Sequence, residues 1–313
     1  MRAVNGVSLE LERGMTVGLV GESGSGKTVT ALTVLGLTRA AETEIAGSVL
    51  FDGVDLLRLS ESELRDIRGR RIAMVFQDPL SSLHPMHRVG WQITEAIRAH
   101  EPMGRRAARA RVVELLRSVE IPSPAERADA YPHELSGGMR QRVMIAMAIA
   151  LGPDMLIADE PTSALDVTVQ AQILELLARL QEEHGMALIL ISHDLGVIAE
   201  QTDEVAVMYA GRIVERGPGE TIIHSPQHPY TCRLLESIPH IDEPRTERLT
   251  PIPGSPPSGI HLPPGCAFHT RCGLARLSCK REVPTLQAVG PGHRIACPVV
   301  AEDPSLVSRR SVL

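Results

Sequence analysis

Short apolar runs, several of them β-branched, punctuate the first two-thirds of the chain. They are Met15-Thr-Val-Gly-Leu-Val20, Ile72-Ala-Met-Val-Phe76, Met155-Leu-Ile-Ala158, Ala187-Leu-Ile-Leu-Ile191 and Val205-Ala-Val-Met208. Runs of this length bounded by turn-forming residues predict buried strands. The stretches between them carry a longer period. Arg105–Val119 places apolar residues at helical spacing with arginines opposite, and Val167–Glu183 repeats the pattern. Strands alternating with helices predict an α/β domain on a largely parallel sheet. Tyr209-Ala-Gly-Arg212, set between two extended runs, predicts a tight hairpin near the end of that domain. Beyond Gly217 the pattern fades, and prolines gather between Pro251 and Pro264, which predicts a loop-rich segment. The shift places a boundary within residues 220–235 and separates a domain of residues 1–230 from an extension of 231–313.

With 313 residues the chain can bury a substantial core. Its formal charge of −6 argues against broad electrostatic binding of nucleic acid, and 2% aromatic content is too little for a base-stacking platform. Met1 is not followed by an apolar leader segment. The longest apolar run, Val143 to Leu151, is nine residues, against the roughly 20 that span a bilayer. These features predict a cytosolic chain unless something tethers it. Clustered cysteines in that reducing compartment bind metal or do chemistry more often than they form disulfides.

Gly21-Glu-Ser-Gly-Ser-Gly-Lys27-Thr28 matches the phosphate-binding pattern G-x-x-x-x-G-K-[ST] in full, with a predicted strand before it and a helical run after it. In such a loop the backbone of Gly21, Glu22, Ser23, Gly24, Ser25 and Gly26 closes around phosphates at the positive end of a helix. Lys27 reaches the β- and γ-phosphates, and the Thr28 hydroxyl is a Mg²⁺ ligand. Asp159 and Glu160 follow directly on an apolar strand. Asp159 suits Mg²⁺, directly or through water, and Glu160 is placed to polarise the attacking water. A lone Asp-Glu pair after a strand is more often an exposed loop start; the phosphate loop changes that reading.

Leu135-Ser136-Gly137-Gly138-Met139-Arg140-Gln141-Arg142 resembles the signature motif of ATP-binding cassette (ABC) ATPases. The other family marks stand in order: Gln77 in Phe-Gln-Asp-Pro, Ser163-Ala-Leu-Asp166, and His193 in Ile-Ser-His-Asp. The resemblance spans about residues 4–235. It implies a P-loop fold with a helical subdomain at about 78–150, and two cassettes that clasp ATP between one phosphate loop and the partner's Ser136, Gly137 and Gly138. It also implies that Gln77 senses Mg²⁺ and the attacking water and couples to membrane subunits. Asp166 bridges the two sites and His193 holds the γ-phosphate. Two departures stand out. Met139 replaces the generic glutamine, and no aromatic residue precedes Ser8 to stack on adenine. The chain begins at what reads as the family's second strand, so either a start codon set too late or a truncated chain is expected, and a longer upstream reading frame encoding a strand and a Tyr or Phe checks this; a lost base stack costs about 1–3 kcal/mol.

His224-Ser-Pro-Gln-His228-Pro229-Tyr230-Thr231 resembles the hallmark stretch of dipeptide/oligopeptide/nickel importer ATPases. That resemblance implies a related but different ATPase as dimer partner, two transmembrane permease subunits, an external binding protein, and a place on the cytoplasmic face of the membrane. Cys266, Cys272, Cys279 and Cys297, spaced C-x₅-C-x₆-C-x₁₇-C, lack the C-x₂₋₄-C knuckles of common zinc sites. Three readings stay open: an iron–sulfur cluster, whose spacing is more permissive; a structural zinc, with His269 or His293 replacing a thiolate; or unbound thiols. The extension resembles that of peptide-importer ATPases with a C-terminal [4Fe-4S] cluster, which favours the first. Cys232 reads as a small buried residue on a helix. A nickel importer of the same family, and a soluble ABC ATPase of DNA repair or translation, are the alternative functions. Gene neighbourhood separates the latter from an importer.

Overall fold

The computed structural model describes residues 1–163, 165–237 and 252–308. Its strands are β1 (Thr16–Val20), β2 (Leu50–Phe51), β3 (Val54–Asp55), β4 (Ile72–Val75) and β5 (Met155–Asp159), followed by β6 (Ala187–Ser192), β7 (Glu204–Tyr209), β8 (Arg212–Pro218), β9 (Gln287–Gly290) and β10 (His293–Ile295). The helices are α1 (Lys27–Val34), α2 (Glu61–Ile67), α3 (Pro79–Ser82), α4 (Val89–Arg98), α5 (Arg105–Ser118), α6 (Pro124–Arg127) and α7 (Gly137–Ala148). Further along come α8 (Val167–His184), α9 (Leu195–Ala199), α10 (Gly219–His224), α11 (Pro229–Glu236), α12 (Pro298–Glu302) and α13 (Ser305–Ser308). All five strands expected from the apolar runs form, with ends shifted by one residue or so.

Two compact units divide the chain. One comprises Met1–Leu11, Thr16–Thr30 and Leu190–Leu313; the other comprises Glu12–Met15 and Ala31–Ile189. The division does not follow the change in composition near residue 230, because the C-terminal segment packs with the phosphate loop's own unit.

In the first unit β1, buried along its whole length, pairs parallel with β7 from Val17↔Glu204 to Val20↔Val207. The expected hairpin joins β7 to antiparallel β8, and its two turn residues, Ala210 and Gly211, have φ of 48° and 79°. Two positive φ values in succession match the twist of the flanking strands. The C-terminal segment then adds two strands that the pattern does not reveal. β10 pairs with β8 at Arg294↔Arg216 and Ile295↔Glu215, and β9 pairs with β10. At three and four residues they are too short to show an alternation. Helix α10 lies where the pattern had faded, whereas α11 is the helix expected around Cys232; Pro229 at the first turn and the His228 side chain, which accepts from the Tyr230 N–H, start it.

In the second unit β4 pairs parallel with β5 from Ile72↔Met155 to Val75↔Ala158. Helices α4, α5 and α7 pack on one another. Helix α8 starts at Asp166, whose carboxylate accepts from the Val169 N–H, and ends at Gly185 with φ 59°. It buries Ile173, Leu174, Leu176, Leu177 and Leu180, the face predicted by periodicity. α5 stops at Ser118, one residue short of expectation, and α7 stops at Ala148, three residues before the end of the apolar run at Leu151. There the last turn tightens into i→i−3 bonds from Ala150 to Met147 and from Gly152 to Ile149. Residues 1–15 carry no strand.

Gly219 opens α10 against backbone rather than side chain. A Cβ there would lie 2.2 Å from the Ala199 carbonyl oxygen and 2.9 Å from that of Thr202. Gly219→Ala is therefore expected to destabilise the fold by about 1–3 kcal/mol, read as a lower urea unfolding midpoint with an unchanged slope.

Candidate functional site

The phosphate-loop residues lie in the first unit, between the C-terminal end of β1 and the start of α1. The loop's shape rests on glycines at close approaches. A Cβ on Gly21 would meet the Met208 carbonyl oxygen at 2.2 Å, and one on Gly26, at φ 107°, would meet that of Ala3 at 2.6 Å. Lys27 is buried, and its Nζ donates to the carbonyl oxygens of Gly21 (2.6 Å) and Glu22 (3.2 Å), which keeps the ammonium inside the turn. Ser25 is 4% exposed and its Oγ has no hydrogen-bond partner among the described residues. An orphaned buried hydroxyl in the same loop as a buried ammonium fits a loop that binds an oxyanion. Ser23, Gly24 and Thr28 are exposed. His193 is exposed directly after β6, and the next residue, Asp194, caps α9.

The loop is also held from outside. The Gly211 N–H donates to the Ser25 carbonyl (2.8 Å) and the Glu22 N–H to the Tyr230 hydroxyl (2.8 Å). Both carboxylate oxygens of Glu22 accept from the guanidinium of Arg271, at 2.7 and 3.0 Å. Arg271 is the residue before Cys272. Burial, the largest influence, pulls its pKa down, but the bonds to Glu22 and Tyr209 outweigh burial and raise it. Tyr230 and Tyr209 titrate above the usual phenol range because they are buried.

The carboxylates, Gln77 and the signature residues lie in the second unit. Asp159 ends β5 and is 2% exposed. Glu160 follows with φ 46°, a left-handed backbone that a non-glycine residue adopts at a cost of order 1–3 kcal/mol. Its Oε2 accepts from Nε2 of Gln77 at 3.0 Å. The structure thus brings together Gln77, Asp159 and Glu160 at the ends of two paired strands. Ser136 caps α7, with Oγ accepting from the Met139 N–H, and Ser136 and Gly137 are exposed. Gly138 allows α7 to approach α8, since a Cβ there would lie 2.8 Å from Val169 Cγ1. Asp166 serves as the α8 cap; of the Ser163–Asp166 motif, Ala164 lies outside the described residues.

Cys266, Cys272, Cys279 and Cys297 all line one cavity of about 160 Å³, together with Phe268 and His269. All five cysteines are free thiols. Burial raises Cys272 to about 11 and shifts Cys266 and Cys297 upward too, with Cys279 adding to the rise in all three. Four converging thiols match the donor set of an iron–sulfur cluster. Among the described residues, however, no group of three or more His, Cys, Asp or Glu side chains is arranged to hold a metal ion, so neither the expected [4Fe-4S] cluster nor the expected zinc stands as a formed coordination sphere. His293 is committed elsewhere: its Nε2 lies 2.7 Å from Oε1 of fully buried Glu215. His269 lies at the cavity with Nδ1 2.8 Å from the Cys266 carbonyl. Cys232, on α11 as expected, is pushed up to about 12 by burial.

Sequence reasoning does not single out Arg271 or Tyr209 and sees Tyr230 only as part of a motif. The signal that points to them is scarcity. The chain has three Tyr, three Phe and one Trp, and three of those seven, Tyr209, Tyr230 and Phe268, are buried beside the phosphate loop.

Two family models match the chain: ABC transporter over residues 4–163, and the oligopeptide/dipeptide transporter C-terminal region over residues 214–279. The chain is 48% identical to the dipeptide transport ATP-binding protein DppD of Escherichia coli (strain K12), over 96% of this chain and 92% of that protein. It is 52% identical to a putative peptide import ATP-binding protein of Brucella abortus (strain 2308), over 95% and 89%. Among solved structures, a post-hydrolysis dimer of the ATP-binding cassette MJ0796 bound to ADP and Pi aligns with a TM-score of 0.61 at 30% identity, covering 69% of this chain and 90% of that one. A second, cbiO1 from Clostridium perfringens, aligns with a TM-score of 0.62 at 28% identity, covering 71% and 84%.

Lys27→Ala removes the ammonium from the loop without touching its glycines. The expected outcome is a rise of at least about tenfold in the dissociation constant for Mg²⁺-ATP, the scale of a lost charge-assisted hydrogen bond, measured by titration with a fluorescent ATP analogue.

Proposed function

The chain belongs to the ABC transporter ATP-binding proteins, and from that membership we propose that it is the ATP-hydrolysing motor subunit of an importer for dipeptides or oligopeptides. The observation that carries the catalytic reading is the pairing of Glu160 with Gln77 beside buried Asp159. It joins a base, a water-orienting amide and a metal ligand. In this reading the backbone of Gly21, Glu22, Ser23, Gly24, Ser25 and Gly26 holds the ATP phosphates, Lys27 binds the β- and γ-phosphates, and Thr28, Gln77 and Asp159 hold Mg²⁺. The cation, when bound, neutralises charge on the β- and γ-phosphate oxygens. Glu160 takes the proton of the attacking water as the terminal phosphoryl group departs from ADP, and His193 steadies that group. Ser136, Gly137 and Gly138 serve the partner's nucleotide: α7 opens with exposed amides at its positive end, a receptor suited to a γ-phosphate. Asp166 bridges the two sites.

The partners follow from the same reading: a second, related ATPase, two membrane permease subunits, and a binding protein that delivers cargo to them. Among the described residues no helix is long and apolar enough to cross a membrane. Around and after Gln77, Phe76, Leu80, Met86 and Trp91 stand 42–75% exposed. Such an apolar cluster supports docking on the permeases, on the cytoplasmic side. Residues 231–313 form the branch-specific extension. We assign its four thiols to a [4Fe-4S] cluster with a structural role, since a cycle driven by ATP calls for no electron. The support is the ring of four thiols around one cavity.

Glu160→Gln is expected to bind ATP like the wild type while phosphate release falls by about 10²-fold or more, trapping a closed dimer with the partner ATPase. Wild-type turnover in that variant would remove Glu160 from the base role. Anaerobically purified chain should be brown, with iron and acid-labile sulfide in equal amounts. Colourless protein carrying stoichiometric zinc would overturn the cluster assignment.

A further inference from the structure

Glu22 poses an electrostatic problem. A carboxylate within a loop built to receive a polyphosphate repels its own ligand unless its charge is neutralised. The C-terminal lobe supplies the neutralising group. Nη1 of Arg271 donates to Glu22 Oε2 at 2.7 Å and to the Tyr209 hydroxyl at 3.3 Å. Nη2 donates to Glu22 Oε1 at 3.0 Å and to the Ile252 carbonyl at 3.4 Å, and Nε donates to the Pro253 carbonyl at 2.8 Å. All five guanidinium donors therefore have an acceptor, and the fork meets the carboxylate through two parallel bonds. The side chain of Arg271 is 3% exposed against 24% for Glu22.

The aromatic packing fixes this arrangement. The rings of Tyr209, Tyr230 and Phe268 lie 4.7–5.4 Å apart, centroid to centroid. Tyr209 also carries the Arg271 guanidinium 5.9 Å from its ring centre. Tyr230 meanwhile accepts from the Glu22 N–H. Side chain and main chain of one phosphate-loop residue are thus both held by residues from beyond β6. Phe268 and Arg271 sit between Cys266 and Cys272, so the segment that bears the thiols is the segment that grips the loop.

We propose that Arg271 is a positioning residue for ATP binding: from the thiol-bearing lobe it neutralises Glu22 and draws its carboxylate away from the phosphates. This rests on the reading of residues 21–28 as the ATP phosphate loop. The distinction from a purely structural ion pair is charge. If Arg271 acts by masking a negative group, removing that group should repair the damage of removing the arginine.

The test uses the full chain and four proteins: wild type, Arg271→Ala, Glu22→Gln, and the double variant. Mg²⁺-ATP affinity is measured at low and high ionic strength, KM and kcat are measured with the partner ATPase, and melting temperature is followed in parallel. Arg271→Ala is expected to weaken ATP binding about tenfold at low salt, the scale of a charge-assisted hydrogen bond, less at high salt, with KM rising and kcat within about twofold of wild type. The double variant is expected to regain most of the lost affinity. Unchanged affinity in Arg271→Ala, or a double variant no better than it, overturns the proposal even if the melting temperature falls. Should Arg271→Ala fail to fold, Arg271→Gln, which keeps a long polar side chain but loses the charge, is expected to bind ATP about tenfold more weakly at low salt; wild-type affinity there overturns the proposal equally. A wild-type chain that binds no ATP, or binds it undiminished after Lys27→Ala, overturns instead the reading of the loop itself.

Discussion

A loop that offers backbone N–H groups to a polyphosphate has few left to hold its own shape, here the Ser25 N–H on the Glu22 carbonyl and the Glu22 N–H on Tyr230. Its conformation has to be imposed by neighbours that bond to whatever the ligand does not need. In this chain the neighbours come from far along the sequence. The hairpin after β7 donates the Gly211 N–H to the Ser25 carbonyl. Helix α11 brings Tyr230 to the Glu22 N–H, and the thiol-bearing segment brings Arg271 to the Glu22 carboxylate. Three parts of the chain that look unrelated in sequence thus serve one loop. The extension beyond residue 230 is part of the scaffold of the nucleotide site as well as an appendage to it.

Legibility in the sequence followed the range of the interactions concerned. Local ones were plain. The buried strands, the α8 stripe and the phosphate loop are each encoded within a dozen residues, and the structure has them. Helix ends such as Ala148 were less legible, because a tightened last turn leaves no mark in the hydrophobic period. β9 and β10 were invisible because strands of three and four residues are specified by the edge they join rather than by their own pattern. The grip of Arg271 on Glu22 joins residues 249 positions apart, and nothing local to either one announces the other. The thiols were legible as a group but not in their relation to the loop.

The second unit shows the same economy. Glu160 sits on a strained backbone with Gln77 on its carboxylate, a geometry that surrounding structure must over-determine to persist. Its neighbour Asp159 is buried at the end of a strand whose other residues are wholly apolar, so the paired strands β4 and β5 supply the rigidity. The cost of the left-handed residue falls on the stability of the sheet, and the Glu160 carboxylate gains a fixed direction in return.

The added strands also have a consequence for the chain's behaviour in solution. β10 pairs with Glu215 and Arg216 of the seven-residue β8 and so covers part of a row of amides and carbonyls, the kind of template on which stray strands assemble. Along that stretch the sheet in this unit continues through β10 to four mostly exposed residues, Gln287–Gly290. The lobe that steadies the loop at Glu22 therefore also shields part of that edge, and a chain shortened ahead of residue 287 is expected to leave it bare.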